Sequence, residues 1–260
     1  MIRHGAGHGS VRSVLTAVVL ALGLLGCAAN PEQDSEETYD PLEPMNRGIY
    51  AVNNTLDRFI LRPVAKGYDT VMPRWIKFAV TNFFYNLEQP IYVANHLLQG
   101  KFLGAARQTG RFVINSTLGL AGVIDAAKDA NLPREAEDFG ETLAVWGIGG
   151  GPYLMLPVLG PSNFRDGIGK LADAQIDPLI NYHDRSRRDK AIILKIIERR
   201  AALLPLDKAI KEAADPYIFV REAYLQNRRY KIHDGNPPEE SLDDFEAEFE
   251  EFDDADMDLD

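Results

Sequence analysis

The sequence has a single cysteine, Cys27, in 260 residues, so no disulfide can form within the chain and the fold rests on packing and polar contacts alone. It also lacks, after Leu25, any run approaching the roughly 18 apolar residues of a membrane-crossing helix. Histidine is scarce. His96, His183 and His233 are widely separated and show no HExxH or other metal-ligand spacing, which excludes the common zinc-hydrolase patterns. No Gly-x-Ser-x-Gly elbow is present to supply a nucleophile. The run Gly147-Ile148-Gly149-Gly150-Gly151 is not a dinucleotide loop, since Pro152 stands where the last glycine of GxGxxG belongs. No repeat of about 20 to 50 residues is visible, which argues against a solenoid. No catalytic residue, metal site or cofactor is therefore expected.

Charge of one sign is also missing from the body. The net charge is -11, but the 24 residues from Pro237 to Asp260 hold 13 acidic side chains and no basic one, and the first 26 residues hold two arginines and no acid. Removing both ends from the 39 acidic and 28 basic residues leaves 26 of each. A neutral body offers no nucleic-acid surface, which needs a local excess of Lys and Arg.

What is present at the N-terminus is an address. Arg3 and Arg12 precede the twelve-residue apolar stretch Val14 to Leu25, within signal-peptide range and too short to span a bilayer. Leu24-Leu25-Gly26-Cys27 resembles the lipobox of bacterial lipoproteins, in which the cysteine is acylated and becomes the first residue. The resemblance implies a triacyl anchor at Cys27, which holds a protein on a membrane stably where one chain is marginal. Ala28, rather than Asp, at the next position implies sorting to the outer membrane. Residues 1–26 then form the signal peptide, and 27–39, polar and acidic, a tether.

Beyond the tether the pattern is helical. Met45, Ile49, Val52, Leu56 and Phe59 make a stripe expected to end before Pro63. Pro73 to Leu98 is apolar over far more than one stripe, as in a helix wrapped by protein or laid against lipid, and Pro90 is expected to break or kink it. Lys101 to Ser116 is a third helix, Asp189 to Leu204 a fourth, and Leu206 to Arg229 a fifth interrupted at Pro216. From Glu141 to Pro161 the helical period disappears, and the glycine cluster followed by Pro152 to Pro161 reads as a hairpin-like apolar loop. Carboxylate pairs such as Asp40 with Glu43 and Glu137 with Asp138 are expected to be caps and ion pairs.

Asp40-Pro41-Leu42-Glu43-Pro44-Met45-Asn46-Arg47 resembles the signature of the MlaA (VacJ) family of outer-membrane lipoproteins. A collinear series of further blocks resembles the same family, including Asn86-Leu87-Glu88-Gln89-Pro90, Gly147 to Tyr153, Arg165-Asp166, Asp215-Pro216-Tyr217 and Arg221-Glu222-Ala223-Tyr224. The resemblance implies an all-α, ring-like assembly of amphipathic helices lying in the inner leaflet of the outer membrane and enclosing a central channel. It implies trimeric porins, phospholipids and a periplasmic phospholipid carrier as partners. Misplaced outer-leaflet phospholipid would pass through the channel and back toward the inner membrane. On this reading 40–233 is the helical domain and 234–260 an acidic disordered tail. Asp40, Pro41, Glu43, Asn46 and Arg47 would brace the channel rim; Gly147, Gly149 and Gly151 would serve as a loop hinge, and Arg165 and Asp166 form a further motif. A membrane-tethered phospholipase-like enzyme and a structural envelope scaffold are the competing classes.

Overall fold

A computed structural model describes residues 40–238. Cys27, the tether and the acidic tail from Glu239 onward lie outside the described residues. The first helix, α1 (Glu43–Leu56), carries Pro44 in its first turn, where the missing N–H costs nothing, and Glu43 at its positive end. It does not stop before Pro63. The chain passes through a five-residue π-turn, Asp57–Leu61, directly into α2 (Arg62–Val71). The physical reason is register: in the π-turn the Arg62 N–H reaches back five residues to the Asp57 carbonyl, so Pro63 enters at the start of a new α segment, where its missing donor is tolerated.

Pro90 does not break its helix either. Helix α3 runs unbroken over 25 residues, Arg74–Leu98. An interior proline costs about 3 kcal/mol, and packing on α4 (Phe102–Thr117), α6 (Phe139–Val145), α7 (Phe164–Ile176) and α8 (Arg185–Ala202) holds α3 helical despite it. A single turn, α5 (Ala126–Asp129), separates α4 from α6. Helix α6 persists to Val145, past the point where the sequence period fades, because Asp138 and Glu141 form a reciprocal capping box at its start.

The glycine-flanked segment is a hairpin. Strands β1 (Tyr153–Leu156) and β2 (Gly160–Asn163) pair antiparallel, Tyr153 opposite Asn163 and Leu156 opposite Gly160. After α8, a 3-10 turn (Leu204–Leu206) and α9 (Asp207–Glu212) lead to α10 (Pro216–Ile232), where Pro216 opens the helix and Asp215 caps it through the Tyr217 N–H at 2.9 Å. The described chain is thus helical with one small hairpin. Its neighbours close a circuit: α1 leads through the π-turn to α2, then by packing to α8, α3, α7 and β2, and β1 returns to α1. Helix α10 lies against both α6 and β2.

The interior is inverted relative to an ordinary soluble domain. Among the described residues, 19 buried side chains are polar or charged and 11 are apolar, while 40 large apolar side chains are exposed. Charged residues are rarely buried unless paired, and here their pairing organises the fold. Phe84, from the broad apolar stretch of α3, is buried at 4% exposure, whereas Trp75 and Phe78 on the same helix are 71% and 67% exposed. No described helix is long and apolar enough to cross a membrane.

Candidate functional site

Two asparagines on α1 hold the hairpin. Asn46, fully buried, donates from Nδ2 to the Tyr153 carbonyl at 2.9 Å and accepts at Oδ1 from the Met155 N–H at 2.8 Å. Seven residues on, about two helical turns, Asn53 does the same one step along: Nδ2 donates to the Leu156 carbonyl at 2.9 Å and Oδ1 accepts from the Val158 N–H at 2.8 Å. Asn46 thus acts as a short stretch of neighbouring strand along the free edge of β1, and Asn53 holds the turn that follows it. Val158, held by this clasp, takes a left-handed φ of 66°, unfavourable for a β-branched residue, and Val158 and Leu159 are exposed at the hairpin tip.

The residues of the first motif meet around the same clasp. Asp40 accepts from Asn46 Nδ2 at 2.8 Å and from the Tyr217 hydroxyl, with the Arg221 guanidinium 3.5 Å away. Arg47 pairs with Glu43 at 2.7 Å and with Asp215 at 2.8 Å, and its guanidinium lies 4.5 Å from the centre of the Tyr217 ring. Pro41 sits in the exposed turn before α1 and makes none of these contacts. The motif therefore ties the beginning of the described chain to α10 and, through Asn46, to β1.

The other flank of the hairpin is held by Arg165. Its backbone N–H donates to the Gly150 carbonyl and its side chain to the Ile148 carbonyl, both at 3.1 Å, so one residue clamps the glycine loop on either side of Gly149. Gly147 and Gly151 take left-handed φ values of 82° and 66°, which other residues adopt at a cost. Gly149 has no such φ, and a Cβ there would meet nothing within 4 Å. Asp166 lies against Arg165 Nε at 3.1 Å, and its N–H is capped by Asn163 Oδ1 at 2.7 Å.

Asp166 also belongs to a buried ionic cluster centred on Arg228 of α10. The guanidinium donates to Asp138 at 2.6 Å, Glu141 at 2.9 Å and Asp166 at 2.9 Å, joining α6, α7 and α10. Tyr224, one turn earlier on α10, donates its hydroxyl to Asp166. Burial opposes ionisation of Asp138, but the hydrogen bonds and charge of Arg228 outweigh it and hold this carboxyl below its usual range. Glu141 goes the other way: burial, reinforced by the Asp138 charge, pushes it up to about 8.

A carboxyl raised in the folded state binds a proton that the unfolded chain releases near pH 4.3. The stability it contributes is present below that value and is lost as pH rises toward about 8. Glu141→Gln, which stays neutral and can still accept from the Asp138 N–H, is therefore expected to flatten the decline of stability between about pH 5 and 8. Denaturant melts of the two proteins at stepped pH check this. Parallel pH profiles would contradict the raised ionisation of Glu141.

Sequence reading placed Asp40, Glu43, Asn46 and Arg47 in one motif and Arg165 and Asp166 in another, and the structure brings both to the hairpin. Neither Asn53 nor Arg228 belongs to a motif that the sequence singles out. A signal was available: Tyr217, Arg221, Tyr224 and Arg228 recur at helical spacing, and each of the four contacts a buried carboxylate. Among the described residues no group of three or more His, Cys, Asp or Glu is placed to hold a metal ion.

The family model described as "MlaA lipoprotein" matches residues 38–231. The chain is 40% identical over 223 residues to the "Intermembrane phospholipid transport system lipoprotein MlaA" of Shigella flexneri, covering 83% of this chain and 88% of that protein. It is 34% identical over 241 residues to the protein of the same name from Haemophilus influenzae, covering 90% and 96%. A solved structure reported under "Structural basis for maintenance of bacterial outer membrane lipid asymmetry" superposes with a TM-score of 0.67 at 38% identity, covering 74% of this chain and 98% of that one.

Proposed function

Because the chain belongs to the MlaA lipoprotein family, we propose that it is an outer-membrane lipoprotein of intermembrane phospholipid transport, removing misplaced phospholipid from the outer leaflet to maintain lipid asymmetry. The observation that carries this reading is the inverted body: an interior of paired charges and amides, and an exterior carrying 40 exposed large apolar side chains among the described residues. Such a body suits hydrocarbon outside and polar headgroups within. A headgroup crossing hydrocarbon unaided faces a steep desolvation cost, and a polar passage through the closed circuit of helices would remove it without covalent chemistry.

In this proposal Cys27 carries the lipid anchor and the body lies in the periplasmic leaflet. Trimeric porins and a periplasmic carrier are its partners. Asp40, Glu43, Asn46 and Arg47 brace the rim of the passage by fixing the hairpin, and the glycine loop lets that hairpin move. The reading is tested by deleting the gene and measuring outer-leaflet phospholipid. Accumulation that the wild-type chain reverses is expected; unchanged asymmetry would sink the reading.

Placement in the leaflet has its own test. Phe78→Asp sets a charge on the outer face of α3, at a cost of about 2.5 to 3.5 kcal/mol if that face meets hydrocarbon. A nitroxide at position 75 is expected to be accessible to oxygen dissolved in the bilayer and to lose that access in the Phe78→Asp protein. Absence of that access in the wild-type protein would leave this face out of the membrane.

A further inference from the structure

The segment from α1 to the start of α3 has an unusual balance of charge and apolar surface. Phe59, Ile60, Val64, Val71, Trp75 and Phe78 are all exposed on it. Between Ala51 and Phe78 the sequence has five cations and two carboxylates, Asp57 and Asp69. Both carboxylates are already taken: Asp57 by Arg200 at 2.6 Å and Arg62 at 3.3 Å, Asp69 by Lys77 at 2.6 Å. The remaining cations, Arg58, Lys66 and Arg74, are exposed, and none of the three is in an ion pair among the described residues. A shallow, largely apolar depression of about 280 Å³, lined by Ala51, Val52, Thr55 and Leu56, opens within one helical turn of Arg58.

We propose that this lip binds anionic glycerophospholipid, with acyl chain along the exposed apolar side chains and the depression, and headgroup at Arg58, Lys66 and Arg74. The inference rests on the phospholipid-transport reading and adds a headgroup class to it. A zwitterionic headgroup brings its own ammonium to cancel the phosphate and leaves these cations uncompensated; an anionic headgroup does not. Long cationic side chains beside apolar surface can keep their stems in hydrocarbon and their charges at headgroup depth, and each is worth about a fivefold gain in affinity for an anionic surface.

Trp75 lies on the lip and reports on it. With Trp146→Phe it becomes the only tryptophan of the chain. The full-length lipoprotein is reconstituted in phosphatidylcholine vesicles holding, at one matched mole fraction, either brominated phosphatidylglycerol or brominated phosphatidylcholine, and Trp75 quenching is read. Several-fold stronger quenching by the anionic lipid is expected, weakening as ionic strength rises. The triple variant Arg58→Gln, Lys66→Gln, Arg74→Gln is expected to abolish the preference, and Arg58→Lys with Arg74→Lys to keep it. Inorganic phosphate at constant ionic strength is expected to leave it intact. Equal quenching by the two lipids in the wild type, or a preference that survives the triple variant, would overturn the headgroup assignment while leaving lipid contact in place. Loss of the preference in phosphate would assign the cations to a free anion instead. Quenching by neither lipid would remove the membrane-facing lip and with it the support for the underlying reading.

Discussion

Arg228→Met is expected to destabilise the body by about 3 to 5 kcal/mol, because it removes one partner from a buried ionic cluster and leaves the carboxylates behind. Asp138, Glu141 and Asp166 all lie within 3 Å of this guanidinium, and the Glu141 and Asp166 side chains are only 1% and 5% exposed. At roughly 2 to 4 °C per kcal/mol for a domain of this size, Tm falls by roughly 10 °C. The sign of the pH dependence identifies the cause. Without the guanidinium burial is free to push Asp138 above its unfolded value and raises Glu141 further, so both favour the folded state only when protonated, and the deficit is expected to narrow as pH falls toward about 4. Arg228→Lys keeps the charge and loses the fork that reaches three carboxylates, so an intermediate loss is expected. Thermal melts of the three proteins at stepped pH measure all of this; a deficit that does not change with pH would point to lost packing rather than to stranded charge.

That cluster marks the limit of what the sequence discloses. Helix-forming stretches, the hairpin and the family were legible, because apolar period, turn residues and ordered motifs are local properties of the chain. The two prolines were misread for a single reason. Pro63 and Pro90 are local helix breakers, but one follows a π-turn that resets the hydrogen-bond register and the other is held by packing on several sides, and neither circumstance is written within a few residues of the proline. The exposed side of α3 was half legible. The sequence showed a helix too apolar for one stripe, but Phe84 and Phe83 are adjacent, and only the position of the neighbouring helices makes the first buried and the second 37% exposed. Polar pairing was the least legible of all, since Arg228 meets Asp138 across 90 residues and Asn53 meets Leu156 across 103.

The inverted body follows from the same long-range pairing. Buried charge is ordinarily a weak source of stability, and well-packed apolar residues often do as well or better. For a body lying in hydrocarbon, as proposed above, the comparison shifts, because association of apolar helices gains little from lipid that is equally apolar, and small residues and polar contacts take over as the adhesive. The five ionic and amide clusters centred on Asp40, Asp57, Glu88, Asp125 and Arg228 can then hold a closed circuit of helices whose outer surface is free to be apolar. The choice of polar residues inside is thus coupled to the choice of Trp75, Phe78 and Leu118 outside.

Gly149→Val is expected to leave folding intact and to abolish lipid transport. Gly147 and Gly151 are needed as glycines here, since their left-handed φ strains any β-branched residue, so Gly147→Val and Gly151→Val are expected to lower protein level along with function. Gly149 has an unstrained φ and open space where its Cβ would be, so nothing in this state explains the glycine. Arg165 grips the carbonyls on both sides of it, and if the hairpin tip moves while that grip is kept or re-made, the backbone change concentrates at residue 149. A valine would restrict that change without disturbing the resting state. In cells making the Gly149→Val protein at normal level in the outer membrane, outer-leaflet phospholipid is expected to accumulate as in the deletion strain, with sensitivity to detergent and bile salts. Wild-type asymmetry in those cells would rule out a hinge at Gly149, and a parallel fall in protein level would return the residue to a purely structural part.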